Sequence, residues 1–372
     1  MRVTVESGLL RKVVRFLSSV EKNVYPICLS AKAEGRSEGS VTIKTFEGTK
    51  FVSISFSAAA VEEEGEVTFP SKFMPYLDVE SDTVTVMSKK EGMSIRRGCF
   101  DYTVPHYRGT VADRPSPPQL GSATFQLDEI KHLFRRVRFA TGDDTDDKHN
   151  FRCVLLECRR EVLRVVGGDR RVLAVSDIPK GSPYIGSFVL PKGGIYTINK
   201  LDGDLVTLTF YQSSGDRPIK AVGFSVSGDL MCEIYMPEFS TRFPDYGRVL
   251  DVKGNTFLSG SREELLANVQ AVRKVSEKMY ISMQRHGDGV ARPTRMFARE
   301  EDGGACNAFV PTTWDGDELK IAVNARTFCD AVEQARGKVK VSFTNDMGPL
   351  SVTGESDDYI AVMLPYSQPE KR

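Results

Sequence analysis

SGLLRKVVRFLSSV, residues 7–20, decides the architecture, because its pattern returns twice further along the chain. Leu9, Leu10, Val13, Val14 and Leu17 recur at helical spacing, so one face is apolar, while Arg11, Lys12 and Arg15 make the other basic. LDEIKHLFRRVRFA from Leu127 and SREELLANVQAVRKV from Ser261 read the same way. In the last, Ser261 followed by Glu264 predicts a capping box, each side chain satisfying the other's backbone amide. A second helix signal follows each of the three: PSKFMPYLDV from Pro70, PKGGIYTINKL from Pro191 and NARTFCDAVEQA from Asn324. The offsets are 63, 64 and 63 residues, too regular for coincidence.

Each segment closes with a β-rich run ending in an apolar residue and proline: Val104 and Pro105, Met236 and Pro237, Leu364 and Pro365. Proline suits a strand end, where no ladder donor is needed. Between these marks lie alternating runs such as VTIKTF, TVTVMSK, LVTLTFYQ and VKVSFTND, separated by Gly, Asp and Ser turns. The linker ADRPSPPQLGS at 112–122 and the stiffer RFPDYGRVLDVKGN at 242–255 mark junctions. The expected fold is therefore α+β, with three repeated domains at 1–118, 119–248 and 249–372, each with two helices and antiparallel sheets.

Composition narrows the function. A chain of 372 residues with 40% hydrophobic and 27% charged content is globular and too long for one core. Lys plus Arg equals Asp plus Glu, 50 each, so affinity for nucleic acid must come from local clustering rather than net charge. The cations fall on the first helix of each repeat: Arg11, Lys12, Arg15 and Lys22; Lys131, Arg135, Arg136 and Arg138; Arg273, Lys274 and Lys278. Acid lies elsewhere, at Glu62 to Glu64, Asp143 to Asp147, Asp315 to Glu318 and Asp357 with Asp358. On any single helix such cations are the ordinary solvated face. Their recurrence at matching places points instead to phosphate contacts that ignore sequence.

Catalytic patterns are missing. The aspartates at 143–147 lack EF-hand spacing and read as a solvated loop. His106, His132, His149 and His286 form no zinc motif, and the Gly pairs at 167–168 and 193–194 read as turns rather than phosphate loops. Seven cysteines without a CxxC pair read as reduced, mostly buried thiols. No apolar run is long enough for a membrane span and no signal peptide is evident, so a cytoplasmic location is expected. No catalytic residue, metal or cofactor is expected.

Several stretches resemble the bacterial DNA polymerase III beta subunit, the beta sliding clamp. RRVRFATGDDTDDKHNF is similar to that family's helix ending in Phe-Ala before an acidic loop, and VVGGDRRVLAV at 165–175 to its Val-Ala-Thr-Asp-Gly-His-Arg-Leu-Ala signature. TRFPDYGRVL at 241–250 resembles its Phe-Pro-Asp-Tyr-Arg-Arg-Val junction, and YIAVMLPY its C-terminal Met-Pro motif. KNVYPICLSA at 22–31 and LKIAVNARTFCDAV also have family counterparts. The resemblance implies three DNA-clamp domains in a ring-shaped head-to-tail homodimer, sheets outside and helices lining the hole. The implied function is a non-catalytic DNA polymerase processivity factor that encircles double-stranded DNA. The partners implied are the replicative DNA polymerase, the clamp loader and other clamp-motif proteins, which dock in a hydrophobic groove.

Carried over onto this sequence, the groove falls on Phe151, Arg170, Arg171, Val172, Leu173, Pro244, Val249, Val362, Met363 and Leu364. DNA contacts fall on Lys22, Lys72, His149 and Asn150, beside the helix cations Arg11, Arg15, Lys131, Arg135 and Arg138. The signature departs from the family at Gly168, Arg170, Arg171 and Val172, which moves the groove's charges and with them its motif preference. The dimer seam is expected to join the first domain's edge strand to the third domain's edge near Val272 to Met279. An alternative function is a non-encircling peptide-binding adaptor of the same fold.

Overall fold

The computed structural model describes all residues except 21–24, 35–38, 79–81, 143–151, 215–217, 240, 286–292, 301, 357 and 368–372. The helices are α1 (Ser7–Val20), α2 (Leu127–Arg138), α3 (Lys192–Ile198), α4 (Gly247–Leu250), α5 (Arg262–Arg273) and α6 (Ala325–Gln334), with a 3-10 helix at Ser71–Leu77. Four antiparallel sheets take up most of the rest. The chain divides into two compact units: Met1–Lys131 with Ser182–Tyr184 and Leu190–Ser240, and His132–Gly181 with Ile185–Val189 and Thr241–Arg372.

The helix pairs fall where the repeat puts them, with local differences. In α1, Leu10, Val13, Val14 and Leu17 are buried and Leu9 half so, while Lys12 and Arg15 face solvent. Burying each such aliphatic chain stabilises by about 1.5–3 kcal/mol, far more than helix propensity supplies. The second helix of the first repeat is a 3-10 turn rather than an α-helix, because Pro75 sits inside it and has no N–H to donate. The capping box at α5 does not form: Ser261 Oγ donates to Glu263 Oε2 at 3.0 Å and caps no backbone amide. At α6 a cap does form, Asn324 Oδ1 accepting from the Thr327 N–H at 2.9 Å. Neither Gly pair is a turn. Gly167 and Gly168 end a strand paired to Ala174 and Leu173, and Gly193 and Gly194 lie within α3, where a Cβ on Gly194 would run into Met236 Sδ.

In the first unit, a five-stranded sheet runs in the order Ala60–Glu63, Arg2–Glu6, Thr83–Lys89, Gly92–Arg97, Phe100–Pro105. An eight-stranded sheet joins four strands from 119–237 to four from 26–70, the seam being Met231–Pro237 against Phe51–Ala58 with Met231 opposite Ser55 and Tyr235 opposite Phe51. Arg114, from the proline-rich linker, places its guanidinium 5.5 Å from the Tyr211 ring and 4.8 Å from the Tyr235 ring and pairs with Glu233, so this junction is pinned.

The second unit repeats the device. Its nine-stranded sheet joins four strands from 153–191 to five from 256–363 through Val172–Ile178 against Tyr359–Met363, with Val172 opposite Met363 and Ser176 opposite Tyr359. A four-stranded sheet runs Ala305–Val310, Thr294–Arg299, Lys278–Met283, Leu319–Asn324. Lys278–Met283 is therefore paired on both sides, so the stretch Val272 to Met279 supplies no sheet edge; Ala305–Val310 is an open one.

Arg136 corrects the charge reading of α2. Asp128 and Glu129 in its first turn and Arg135, Arg136 and Arg138 in its last complement the helix dipole, and Arg135 and Arg138 are exposed. Arg136 is only 1% exposed. Its guanidinium reaches the Asp358 carboxylate at 2.7 Å, donates to the Gln334 carbonyl at 3.2 Å and lies 5.1 Å from the Tyr359 ring. The helical spacing that sets Ile130, Leu133, Phe134 and Val137 inward carries position 136 with them, so its charge needs an internal partner. Asp358, read from sequence as surface acid, is that partner. Burial disfavours its charge, but hydrogen bonds from Ser356 and Arg136 and the charges of Arg136 and Arg336 outweigh this and hold it below the usual carboxylate range.

Among the described residues no group of three metal-ligating side chains exists, and no helix is long and apolar enough to cross a membrane. All seven cysteines are unpaired, with Cys153, Cys158, Cys232 and Cys329 buried.

Arg136→Ala leaves the Asp358 carboxylate without its main partner and is expected to cost about 3 kcal/mol, measured by urea unfolding. His132 adds a pH dependence of its own. Burial, then the charges of Arg136, Arg336 and Arg135, depress its pKa to about 4. The folded state therefore favours neutral imidazole; that stability is complete above the unfolded value of about 6.5 and is lost as pH falls towards 4. His132→Gln is expected to flatten the dependence of melting temperature on pH across that window.

Candidate functional site: an apolar groove in the second unit

The strongest site is built where Val172–Ile178 pairs with Tyr359–Met363. The preceding turn is fixed by one carboxylate: Asp169 Oδ1 accepts from the Arg171 N–H at 2.6 Å and the Val172 N–H at 2.7 Å. Gly167, just before it, has no side chain because a Cβ there would approach the Val137 carbonyl of α2 to 2.6 Å. Past the ladder, the Leu364 N–H donates to the Arg171 carbonyl at 2.8 Å, which carries the pairing one step beyond the strand and holds the C-terminal segment over the turn.

The other wall is the segment from Phe243 to Lys253. Tyr246 OH donates to Glu157 Oε2 at 2.7 Å, and the Phe243 and Tyr246 rings meet edge to face with centroids 6.4 Å apart. Burial, then the hydrogen bond to Glu157, raises the Tyr246 pKa, so the phenol stays protonated and holds this bond. Asp245 Oδ1 accepts from the Gly247 N–H at 3.1 Å and starts α4, which presents Val249.

Between the walls lies a groove of about 610 Å³. Val172, Leu173, Val362 and Met363 form its buried floor, whereas Val249 and Leu364 stand 45% and 52% exposed on its lips. Exposed aliphatic side chains facing each other across a preformed apolar floor suit the anchors of a short peptide better than a polar metabolite. Arg170, Arg171, Arg248 and Lys253 line the groove against Asp169, Asp245 and Asp251, which leaves a cationic excess of one.

Of the groove residues read from sequence, Arg170, Arg171, Val172, Leu173, Pro244, Val249, Val362, Met363 and Leu364 line this one cavity, while Phe151 lies outside the described residues. Phe243, Tyr246 and Val252 also line it. The first two stand inside the RFPDYG stretch and were readable there; Thr344 and Pro349 come from a loop with no sequence signal.

The cations read as DNA contacts are dispersed in character. Arg15, Lys72, Arg135 and Arg138 are exposed, and Lys72 sits 5.0 Å from the Phe73 ring. Arg11 is held by Asp78 at 3.1 Å, and Lys131 is largely covered, 4.0 Å from Asp128. Lys22, His149 and Asn150 lie outside the described residues.

No family model matches the chain. It is 22% identical over 317 residues to the beta sliding clamp of Chlamydia muridarum, covering 82% of both chains, and 22% identical over 322 residues to that of Pseudomonas putida, covering 81% of this chain and 82% of the relative. The crystal structure of the DNA polymerase III beta subunit of Thermotoga maritima superposes with a TM-score of 0.84 at 18% identity over 99% of this chain and 100% of that one. That of Pseudomonas aeruginosa gives 0.82 at 19% identity, again over 99% and 100%. This is the DNA-clamp fold. The resemblance read from the signature and junction residues thus extends to sliding clamps in sequence over 82% of the chain and in architecture over 99% of it.

Leu364→Ala combined with Val249→Ala strips both lips of the clamp-fold groove. The pair is expected to weaken a fluorescent peptide carrying two adjacent large apolar residues by at least tenfold in anisotropy titrations, with the melting temperature unchanged, since both side chains are exposed.

Proposed function

We propose that the chain is a sliding clamp: a non-catalytic processivity subunit that closes around duplex DNA as a head-to-tail dimer and tethers a DNA polymerase and other clamp-motif proteins through the groove. The relatives at 22% identity carry the name beta sliding clamp, and the structures that share the fold are DNA polymerase III beta subunits. The division into domains at 118 and 248 belongs to the same reading.

The observation that carries ring closure is the unequal fate of the half-sheets. Twice within the chain, the fourth strand of one repeat pairs with the last strand of another: Phe51–Ala58 with Met231–Pro237, and Val172–Ile178 with Tyr359–Met363. The corresponding strands left over are Ala305–Val310 and Phe100–Pro105, each at the edge of its sheet. Phe309 and Phe100 stand 66% and 54% exposed on them. Open edges bearing large aromatic side chains invite strand addition. A second copy offers each edge the strand type that its counterparts within the chain already use, and two such seams close a ring. The seam proposed is thus Phe100–Pro105 of one copy against Ala305–Val310 of the other. The exposed helix cations Arg15, Arg135 and Arg138 would meet phosphates without reading bases.

In solution the full chain is expected at twice its 41.3 kDa mass by light scattering, and Phe100→Asp is expected to lower it to one. Loaded protein should persist on nicked circular DNA and run off after linearisation. Equal loss from both forms contradicts encirclement, and a monomer that still binds groove peptides identifies the non-encircling adaptor instead.

A further inference from the structure

The four-stranded sheet carries a surface that the clamp reading does not use. On its outward face, cross-strand register sets Tyr280 opposite Phe297, with the strand order placing Arg295 and Lys320 on one side of this aromatic pair and Arg299 and Lys278 on the other. The rings stack, centroids 5.1 Å apart and 15° between planes. Arg295 lies 4.5 Å from the Phe297 centroid, Lys320 lies 5.3 Å from Tyr280 and 5.6 Å from Phe297, and Lys278 lies 5.6 Å from Tyr280. Arg295 also donates through Nε to Asn307 Oδ1 at 3.0 Å. A depression of about 660 Å³ opens over Tyr280, Phe297, Arg295 and Lys320, with Glu300 the one acid in its lining.

Three properties coincide here. Four cations share one sheet face whose strand positions include no carboxylate. Lys278, Arg295 and Lys320 are held over rings, which orders them before any ligand arrives and lowers the entropy lost on binding. The Asn307 amide lies on the same face, its Oδ1 accepting from Arg295, whereas both ends of the Asn324 amide are taken up by Tyr366 OH and the Thr327 N–H. Cations that track a backbone, an aromatic platform and an amide group on one antiparallel sheet are the features by which sheet surfaces hold unpaired strands. Double-stranded DNA would present only phosphates to such a face and leave the rings unused.

We propose that this outward sheet face binds single-stranded nucleic acid, with Lys278, Arg295, Arg299 and Lys320 contacting phosphates and the Tyr280 and Phe297 rings contacting bases. The site does not depend on ring closure or on the groove.

The test uses the full chain and a fluorescein-labelled 15-mer of oligothymidylate, titrated by anisotropy at low and moderate salt. The wild type is expected to bind, and Arg295→Ala/Arg299→Ala/Lys320→Ala is expected to weaken binding at least tenfold and reduce the salt slope by about 2, as loss of three phosphate contacts to a single strand requires. Phe297→Leu, which keeps an apolar side chain but no ring, is expected to weaken binding several-fold with the salt slope retained. All substituted positions are partly or fully exposed, and unchanged melting temperatures would show the variants folded. Three results overturn the proposal: no wild-type binding at low salt, equal binding by the triple variant, or a loss found only in Arg15→Ala/Arg135→Ala, which would place the strand on the helices. Displacement of the oligonucleotide by a decaglutamate peptide of higher affinity also overturns it, assigning the face to an acidic protein segment.

Discussion

Strand edges must be satisfied, and most of the structure follows from how this chain meets that demand. A lone four-stranded half-sheet leaves a row of N–H and C=O groups facing water or a partner. Here two such half-sheets are completed from a distant part of the same chain, through the pairings of Met231–Pro237 and of Tyr359–Met363. The groove is a by-product of the second pairing. Because side chains alternate along a strand, the register that sets Leu173 against Val362 also decides which face Val172 and Met363 present, and a slip of one residue would reverse all four. The Arg171 carbonyl then meets the Leu364 N–H, and the lip of the groove is built by the same ladder that makes the sheet.

The polar contacts around that pairing hold it in place rather than drive it. The Arg136 to Asp358 bridge ties α2 to the residue that precedes the C-terminal strand, at the end of the ladder remote from the groove. A buried ion pair of this kind gains little over a well-packed apolar pair, but it is costly to break and therefore favours one arrangement of helix and strand. Asp169 acts likewise at the near end, where its two backbone hydrogen bonds define the turn. The floor's stability comes from apolar burial, and its shape from these few polar contacts.

How much was legible in the sequence differs by kind of information. Periodicity located all three first helices, because an apolar face at helical spacing survives any change of partner. It misplaced Arg136, since a helical wheel gives a position's angle but not what packs on it, and an arginine beside three other cations looks like solvated surface until Asp358 and Tyr359 are seen beneath it. It likewise took glycine pairs for turns. Gly167 and Gly194 are required by close approach of the Val137 carbonyl and of Met236, which are contacts distant in sequence that local propensity does not register. The nine groove residues within the described chain came from resemblance rather than from pattern, as Leu173, Val249 and Leu364 taken singly look like ordinary strand or loop residues. Which strands end at a sheet edge was not legible at all, because edge or interior position is a property of sheet order.

The signature turn separates the groove's frame from the charge at its rim. Asp169 does the conformational work through its carboxylate, so Arg170 and Arg171 are free to differ in side chain as long as their backbone keeps the turn. Their exposed positions place new charge at the groove's edge and leave the floor of Val172, Leu173, Val362 and Met363 untouched. Apolar anchoring thus depends on the sheet and rim charge on the turn, and the two can vary separately. A change at Arg170 or Arg171 therefore alters the charge at the rim, whereas a change at Leu173 alters the apolar floor, and in grooves of this kind rim charges act chiefly on encounter and buried contacts on dissociation.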